Sequence, residues 1–150
     1  MSLEKQIKQK SFSSEAEKAF VNINFTQSYI SGLLNAAMKK HNVSVQQFNV
    51  LRILKGQHPK PVSVNDITDR MIDKMSNASR LVEKLRLKGL IERSKCSFDK
   101  RQVDVSITPT GVALLDQLNL IINEIISNHN HVTSEEYQQL NTLLDKIRKD

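Results

Sequence analysis

"ASRLVEKLRLKGLIERSKCSFDKRQVDVSITPTG", Ala78 to Gly111, changes its apolar period halfway along. Ala78, Leu81, Val82 and Leu85 recur at helical spacing and share one face. Gly89 follows, a residue suited to the left-handed turn that ends a helix. Farther on, Val103, Val105 and Ile107 alternate with polar Gln102, Asp104 and Ser106, which is the period of a half-buried strand. "LIERSK" supplies a strand to pair with it. The stretch therefore predicts a helix over about 75–88 and a β-hairpin with strands over 90–95 and 102–108. At its end, "TPTG" reads as a new helix start, with Thr108 as cap and Pro109 at the first helical position, where its missing N–H costs nothing.

Three more helix starts share one signal: "VSVQQF" (Val43–Phe48), "VSVNDI" (Val62–Ile67) and "VTSEEY" (Val132–Tyr137). In each, a Ser or Thr can accept from the first free backbone N–H groups, and Gln47, Asp66 or Glu136 three residues on can reach back to the cap. The flanking apolar pairs can staple each start. Periodicity fills in the rest, predicting helices over about 12–40, 44–56, 63–70, 108–129 and 133–149. The fold class expected is mainly α with a small β-hairpin wing.

Composition narrows the function classes. At 150 residues the chain reads as a single domain. Its net charge of +6 is segregated: between Arg70 and Arg101 ten Lys and Arg face four acids, while Gln102 to Asp145 holds six acids and no Lys or Arg. Such a patch suits an anionic partner, nucleic acid above all, although basic patches also occur on ordinary surfaces. "MSLEKQIKQK" has no apolar leader core and the one cysteine, Cys96, cannot form an intramolecular disulfide, so a cytoplasmic protein is expected. "VALLDQLNLIINEII" is interrupted by Asp116, Asn119, Asn123 and Glu124, so no membrane span is expected.

A short helix, a turn, a second helix and a two-stranded wing make a winged helix-turn-helix. Val62 to Leu115 also resembles the MarR (multiple antibiotic resistance regulator) family in "SRLVEKL" closing on "KGLIER", in the wing tip "DKR", and in the "VSITPTG" exit into a long helix. The resemblance implies a DNA-binding lobe over about 44–108 and dimerisation helices over about 12–40 and 108–149. It further implies a homodimeric, ligand-responsive repressor that binds a pseudo-palindromic operator on double-stranded DNA. The small-molecule effector is not identified by the sequence. The second helix of the motif would lie in the major groove and the wing would place Arg101 in the flanking minor groove, with Asp99 orienting it and Lys100 beside it. Asp73-Lys74-Met75 departs from the small polar residues usual in the family at the start of that helix.

On the predicted 75–88 helix, Ser76, Asn77, Arg80 and Lys84 face away from the apolar stripe, with Ser79 beside them. Ser76, Arg80 and Lys84 are spaced i, i+4, as a groove-reading surface requires, although an ordinary solvated face has the same look. Asn and Arg can make bidentate base contacts, whereas Lys and Ser serve equally on phosphates.

Other chemistry has little support. Gly32, Gly56, Gly89 and Gly111 are too scattered for a phosphate-cradling loop. Asp66, Asp69 and Asp73 read as helix-start and surface charge, and His129 and His131, two apart, diverge on a helix, so neither enzyme activity nor a metal or cofactor is expected. Two alternatives stay open: a winged-helix module that binds protein rather than DNA, and a redox-sensing regulator acting through Cys96. Finally, Val112 to Ile126 holds ten Ala, Val, Leu or Ile, too many for one narrow stripe, and a second copy of the chain is the simplest cover.

Overall fold

The computed structural model describes residues 2–95, 103–128 and 131–149. Among them are seven helices and a three-stranded antiparallel sheet: α1 (Leu3–Ile7), α2 (Glu15–Lys39), α3 (Val45–Gln57), β1 (Val62–Ser63), α4 (Val64–Arg70), α5 (Ala78–Leu87), β2 (Ile91–Lys95), β3 (Val103–Ile107), α6 (Pro109–Asn128) and α7 (Ser134–Ile147). The wing tip and Cys96 lie outside the described residues.

The three capping boxes form as the spacing predicts. Gln47 N–H donates to Ser44 Oγ and Ser44 N–H to Gln47 Oε1, both at 3.1 Å. Ser63 N–H donates to Asp66 Oδ2 at 3.2 Å while Asp66 N–H donates to Ser63 Oγ at 3.1 Å. Thr133 and Glu136 repeat the exchange at 2.7 and 3.3 Å. The apolar partners Val43 and Phe48, and Val62 and Ile67, are buried, so two of these starts are fixed from both the polar and the apolar side.

The core lies where α3, α4 and α5 meet the sheet and the first half of α6. It includes Met38, Phe48, Leu51, Leu54, Ile67, Met71, Val82, Leu85, Ile91, Val105, Ile107, Leu115 and Leu118. The sheet runs β1-β3-β2, with Val62 opposite Val105 and Ile91 opposite Ile107. On β3 the expected alternation holds, because Val105 and Ile107 are buried and Ser106 between them is not. Leu118, one of the ten apolar residues of Val112–Ile126 for which a second copy is the expected cover, is instead wholly inside this core; the large apolar side chains that α6 leaves exposed are Leu120 and Ile126.

Three further elements depart from the sequence reading. A five-residue helix, α1, precedes the long helix; it buries Leu3 and joins it through a Glu4–Lys18 ion pair at 2.6 Å. Val62 and Ser63 form a two-residue strand before α4 begins. The second helix of the motif starts at Ala78 rather than near residue 75, and residues 71–77 form the turn before it.

The α5 end, the wing base and the α6 start are joined at one place. Gly89, at φ +70°, donates to Arg86 O at 2.9 Å and Leu90 N–H to Leu85 O at 3.1 Å, a Schellman closure of α5. The Thr108 hydroxyl donates to Gly89 O at 2.8 Å and accepts from Gly111 N–H at 3.1 Å, while Thr108 N–H donates to Leu90 O at 3.1 Å. Gly111 is buried there, and a Cβ on it would stand 2.1 Å from Leu90 O and 2.9 Å from Ile107 Cγ1.

Glycine-to-alanine changes therefore have opposite expected signs at two helical sites. Gly56→Ala, with nothing within 4 Å, should be neutral or stabilise by up to about 1 kcal/mol through helix propensity. Gly111→Ala should destabilise by about 1–3 kcal/mol, because backbone must move and overpacking outweighs propensity. Urea unfolding at one fixed protein concentration checks both. A second expectation concerns acid. The Ser63 hydroxyl and backbone N–H hold the Asp66 carboxyl below its ordinary 3.8, so the stabilisation is present above that value and is lost as pH falls through the lower folded one. Asp66→Asn should lower stability at neutral pH and flatten its decline below about pH 4, read by thermal melts across pH.

Candidate nucleic-acid interface

Helices α4 and α5, with the turn between them, form the helix-turn-helix, and β2–β3 the wing beside it. Helix α5 presents Ala78, Val82 and Leu85 to the core. Its outer face carries Ser79, Arg80 and Lys84, all exposed. Arg80 and Lys84 are one turn apart, and among the described residues neither has a carboxylate within ion-pair distance.

The opposite flank is different. Glu83 Oε1 receives Arg86 Nη2 at 2.8 Å and Glu83 Oε2 receives Arg86 Nε at 3.1 Å. Arg93, reaching over from β2, approaches Glu83 at 3.3 Å. Arg86 first and then Arg93 hold the Glu83 carboxyl below its ordinary range, and Glu83 in turn raises Arg86. One carboxylate thus compensates two guanidinium groups on the wing side. Lys88 is likewise occupied, donating to Asn42 O and, at 3.2 Å, to Gln47 Oε1.

The sequence-derived residues fall into three groups. Arg80 and Lys84 stand together on the outer face, with Ser79 exposed on the same helix. Ser76 and Asn77 precede the helix rather than lying on it, which corrects the i, i+4 reading of Ser76. Asn77 is the N-cap: its Oδ1 accepts Arg80 N–H at 2.9 Å, so the oxygen that a bidentate adenine contact needs is already used by the helix. Ser76 Oγ is buried without a hydrogen-bond partner among the described residues. Asp99, Lys100 and Arg101 lie outside the described residues.

The fold also gathers residues that periodicity along one helix cannot find. An open concavity is lined by Gln46 of α3, Asp73 and Ser76 of the turn, and Asn77, Arg80, Leu81 and Lys84. Gln46 arrives there from 27 or more positions upstream in the chain, through packing of α3 against α5. Asp73 Oδ1 accepts Met75 N–H at 3.0 Å and so shapes the turn. The signal for this role was present in the sequence as an Asx-turn residue. The arrangement is a concave, cation-bearing rim at the N-terminal end of an exposed helix, suited to a polyanion with grooves. Among the described residues no cluster of His, Cys, Asp or Glu could hold a metal ion, and no helix is long and apolar enough to cross a membrane.

Residues 43–103 match the sequence profile of the MarR family. The HTH-type transcriptional regulator MgrA of Staphylococcus aureus is 26% identical over 113 residues, 75% of each chain. The fold is similar to that of a MarR mutant from E. coli crystallised with operator DNA, with a TM-score of 0.78 and 21% identity over 93% of this chain and 100% of that one. It is also similar to Bordetella bronchiseptica BpsR, described in connection with regulation of its DNA binding by 6-hydroxynicotinic acid, with a TM-score of 0.75 and 22% identity over 89% of this chain and 100% of that one. From sequence and architecture together, residues 43–103 carry the MarR-family signature, and the chain has the winged helix-turn-helix fold of MarR-type transcriptional regulators.

Proposed function

We propose that this chain is a homodimeric repressor that binds a pseudo-palindromic operator on double-stranded DNA and is released by a small-molecule effector. The observation that carries the DNA reading is the pair of cations Arg80 and Lys84 on the outer face of α5, with no carboxylate within ion-pair distance among the described residues. In a helix-turn-helix this face enters the major groove, where a guanidinium can bridge guanine O6 and N7 and an ammonium serves a phosphate. The wing tip, with Asp99, Lys100 and Arg101, extends the contact into the flanking minor groove. The operator complex of the E. coli relative supports DNA as the partner, and the ligand-regulated BpsR supports an effector.

Support for the dimer comes from the terminal helices. Phe20, Ile23 and Ile30 of α2, Leu120 and Ile126 of α6, and Leu140, Leu143 and Ile147 of α7 are all exposed in the single chain. An apolar surface of this extent on a water-soluble chain marks an interaction site. A two-fold axis through it would pair two lobes on half-sites about one helical turn, roughly 10 base pairs, apart. The domain organisation follows: a DNA-binding lobe over about 44–108 between dimerisation helices, in one domain.

Sedimentation should give a dimer at micromolar concentration. Leu120→Glu combined with Leu143→Glu should shift it to monomer or abolish the folded state, whereas Leu118→Glu acts on the lobe core. A parent monomer overturns the assembly. For DNA, Arg80→Ala should cost about 1–3 kcal/mol on a selected operator and little on scrambled duplex, lowering the specificity ratio. Lys84→Ala should weaken both duplexes and reduce the slope of log K against log salt by about 0.9. Parent-like titrations by both variants overturn the interface.

A further inference from the structure

Among the large apolar side chains that the described residues leave in water, the two most exposed are Met75 at 92% and Ile72 at 82%. Most of the others belong to α2, α6 and α7. These two instead flank Asp73 and Lys74 in the turn that leads into α5. Scattered exposed apolar residues are ordinary, but this pair is held in place. Ile72 N–H donates to Asn49 Oδ1 at 2.9 Å, Met75 N–H to Asp73 Oδ1 at 3.0 Å, and Ser76 N–H to Asp73 O at 3.1 Å. Lys74 Nζ is tied back to Asp69 O at 2.5 Å. The backbone is therefore fixed while two apolar side chains project from it.

Their setting identifies an occupant. Asp73 and Ser76, immediately beside them in the turn, line the same concavity as Arg80 and Lys84. Met75 stands two residues before the N-cap of α5, at the end of a recognition helix that approaches base edges most closely. The one apolar group on the major-groove edge of natural base pairs is the thymine C5-methyl, and apolar side chains are its complement. Methionine suits the task, being unbranched and polarizable enough to settle against a methyl whose position varies with local DNA geometry. Flanking cations bring the duplex in without supplying such a contact themselves.

We infer that Met75 and Ile72 are specificity-determining residues that read thymine methyl groups in the major groove at the N-terminal tip of α5. The inference rests on the proposed DNA binding and adds a readout that hydrogen-bonding residues cannot provide. It favours A·T pairs at the positions under the turn. It also makes recognition there sensitive to one methyl group rather than to charge.

The test is a chemical double-mutant cycle with the intact chain in its solution assembly. A duplex is first selected from a random pool by the parent protein, and each thymine in it is then replaced singly by deoxyuridine, which keeps the pairing and removes only the methyl. The parent should lose about fourfold in affinity at each thymine touched, the equivalent of about 0.8 kcal/mol for burying one methyl-sized group. Met75→Ala should bind the thymine duplex correspondingly less well and become indifferent to deoxyuridine at its own position, with Ile72→Ala doing the same at another. Both variants should keep the parent's salt slope, because neither side chain touches a phosphate. Both residues are almost wholly solvent-exposed, so folding and dimer mass should be unchanged. The inference is overturned if the parent is indifferent to every deoxyuridine, or if the variants keep the parent's affinity or its full sensitivity at every position. Failure of the parent to enrich or bind any duplex overturns the DNA reading itself, a result distinct from binding without methyl sensitivity.

Discussion

The close approach of Gly111 to Leu90 O is the constraint on which the lobe depends. A glycine is required because any Cβ would stand 2.1 Å from that carbonyl, and the hydroxyl of Thr108 bonds both Gly89 O and Gly111 N–H. Three elements meet at one threonine: the end of α5, the base of β3 and the first turn of α6. Because Gly89 and Leu90 also complete the hydrogen bonds that close α5, the recognition helix cannot tilt or rotate independently of α6 without breaking them. Its position on a duplex is consequently a property of the long helix behind it. The packing of Leu115 and Leu118 into the same core extends that coupling two turns along α6.

Electrostatics divides α5 into two unlike flanks. Exposed ion pairs contribute little to stability, about 0–1 kcal/mol each, so the Glu83 bonds to Arg86 and Arg93 are poorly explained as fold stabilisers. Their larger effect is on where charge remains. Two guanidinium groups near the wing base are compensated by one carboxylate, while Arg80 and Lys84, one turn apart, keep their full field. Helical spacing alone does not produce the division, since Arg80 and Arg86 both stand three residues from Glu83; Glu83 pairs with Arg86 and, across to β2, with Arg93. A duplex meeting α5 encounters the second pair with nothing within ion-pair distance to displace among the described residues.

Much of this architecture is legible in the sequence because it depends on short-range chemistry. A Ser or Thr cap, its partner three residues on and the flanking apolar pair lie within six positions, and all three capping boxes form where that spacing stands. Strand alternation at Val103–Ile107 is equally local. What was not legible depends on tertiary partners or very short elements. Helix α1 has five residues and β1 two, too few for any period to register, and each exists through contact with something distant: Lys18 for α1 and β3 for β1. The sequence alone does not decide the start of α5, because Ser76 and Asn77 are both acceptable N-cap residues. The structure uses Asn77, whose side chain reaches Arg80 N–H, and Ser76 is drawn into the turn with its hydroxyl buried. The sequence does not separate Leu118 from Leu120, because apolar residues surround both on α6, and only packing against the lobe buries the first. Gln46 and Met75 could not be placed at the site from periodicity, since one arrives from another helix and the other from a turn.

Helix α7 carries the argument about assembly furthest. It has fourteen residues and a complete capping box, yet none of its side chains is fully buried. Isolated helices shorter than about 12–15 residues are marginal in water, and in proteins an amphipathic face gains most of its stability from packing. A capping box contributes about 1 kcal/mol, which does not offset fixing a segment of this length at about 1–2 kcal/mol of backbone entropy per residue. The stripe of Tyr137, Leu140, Leu144 and Ile147 must then be covered by more than its own chain supplies, and the exposed apolar side chains on α2 and α6 stand in the same condition. The proposed second copy satisfies all three helices with one symmetric contact. Since the start of α6, at Thr108, is bonded to the residues that close α5, closing the proposed contact would set the separation of the two α5 helices, so that half-site spacing and dimer packing would become a single geometric quantity.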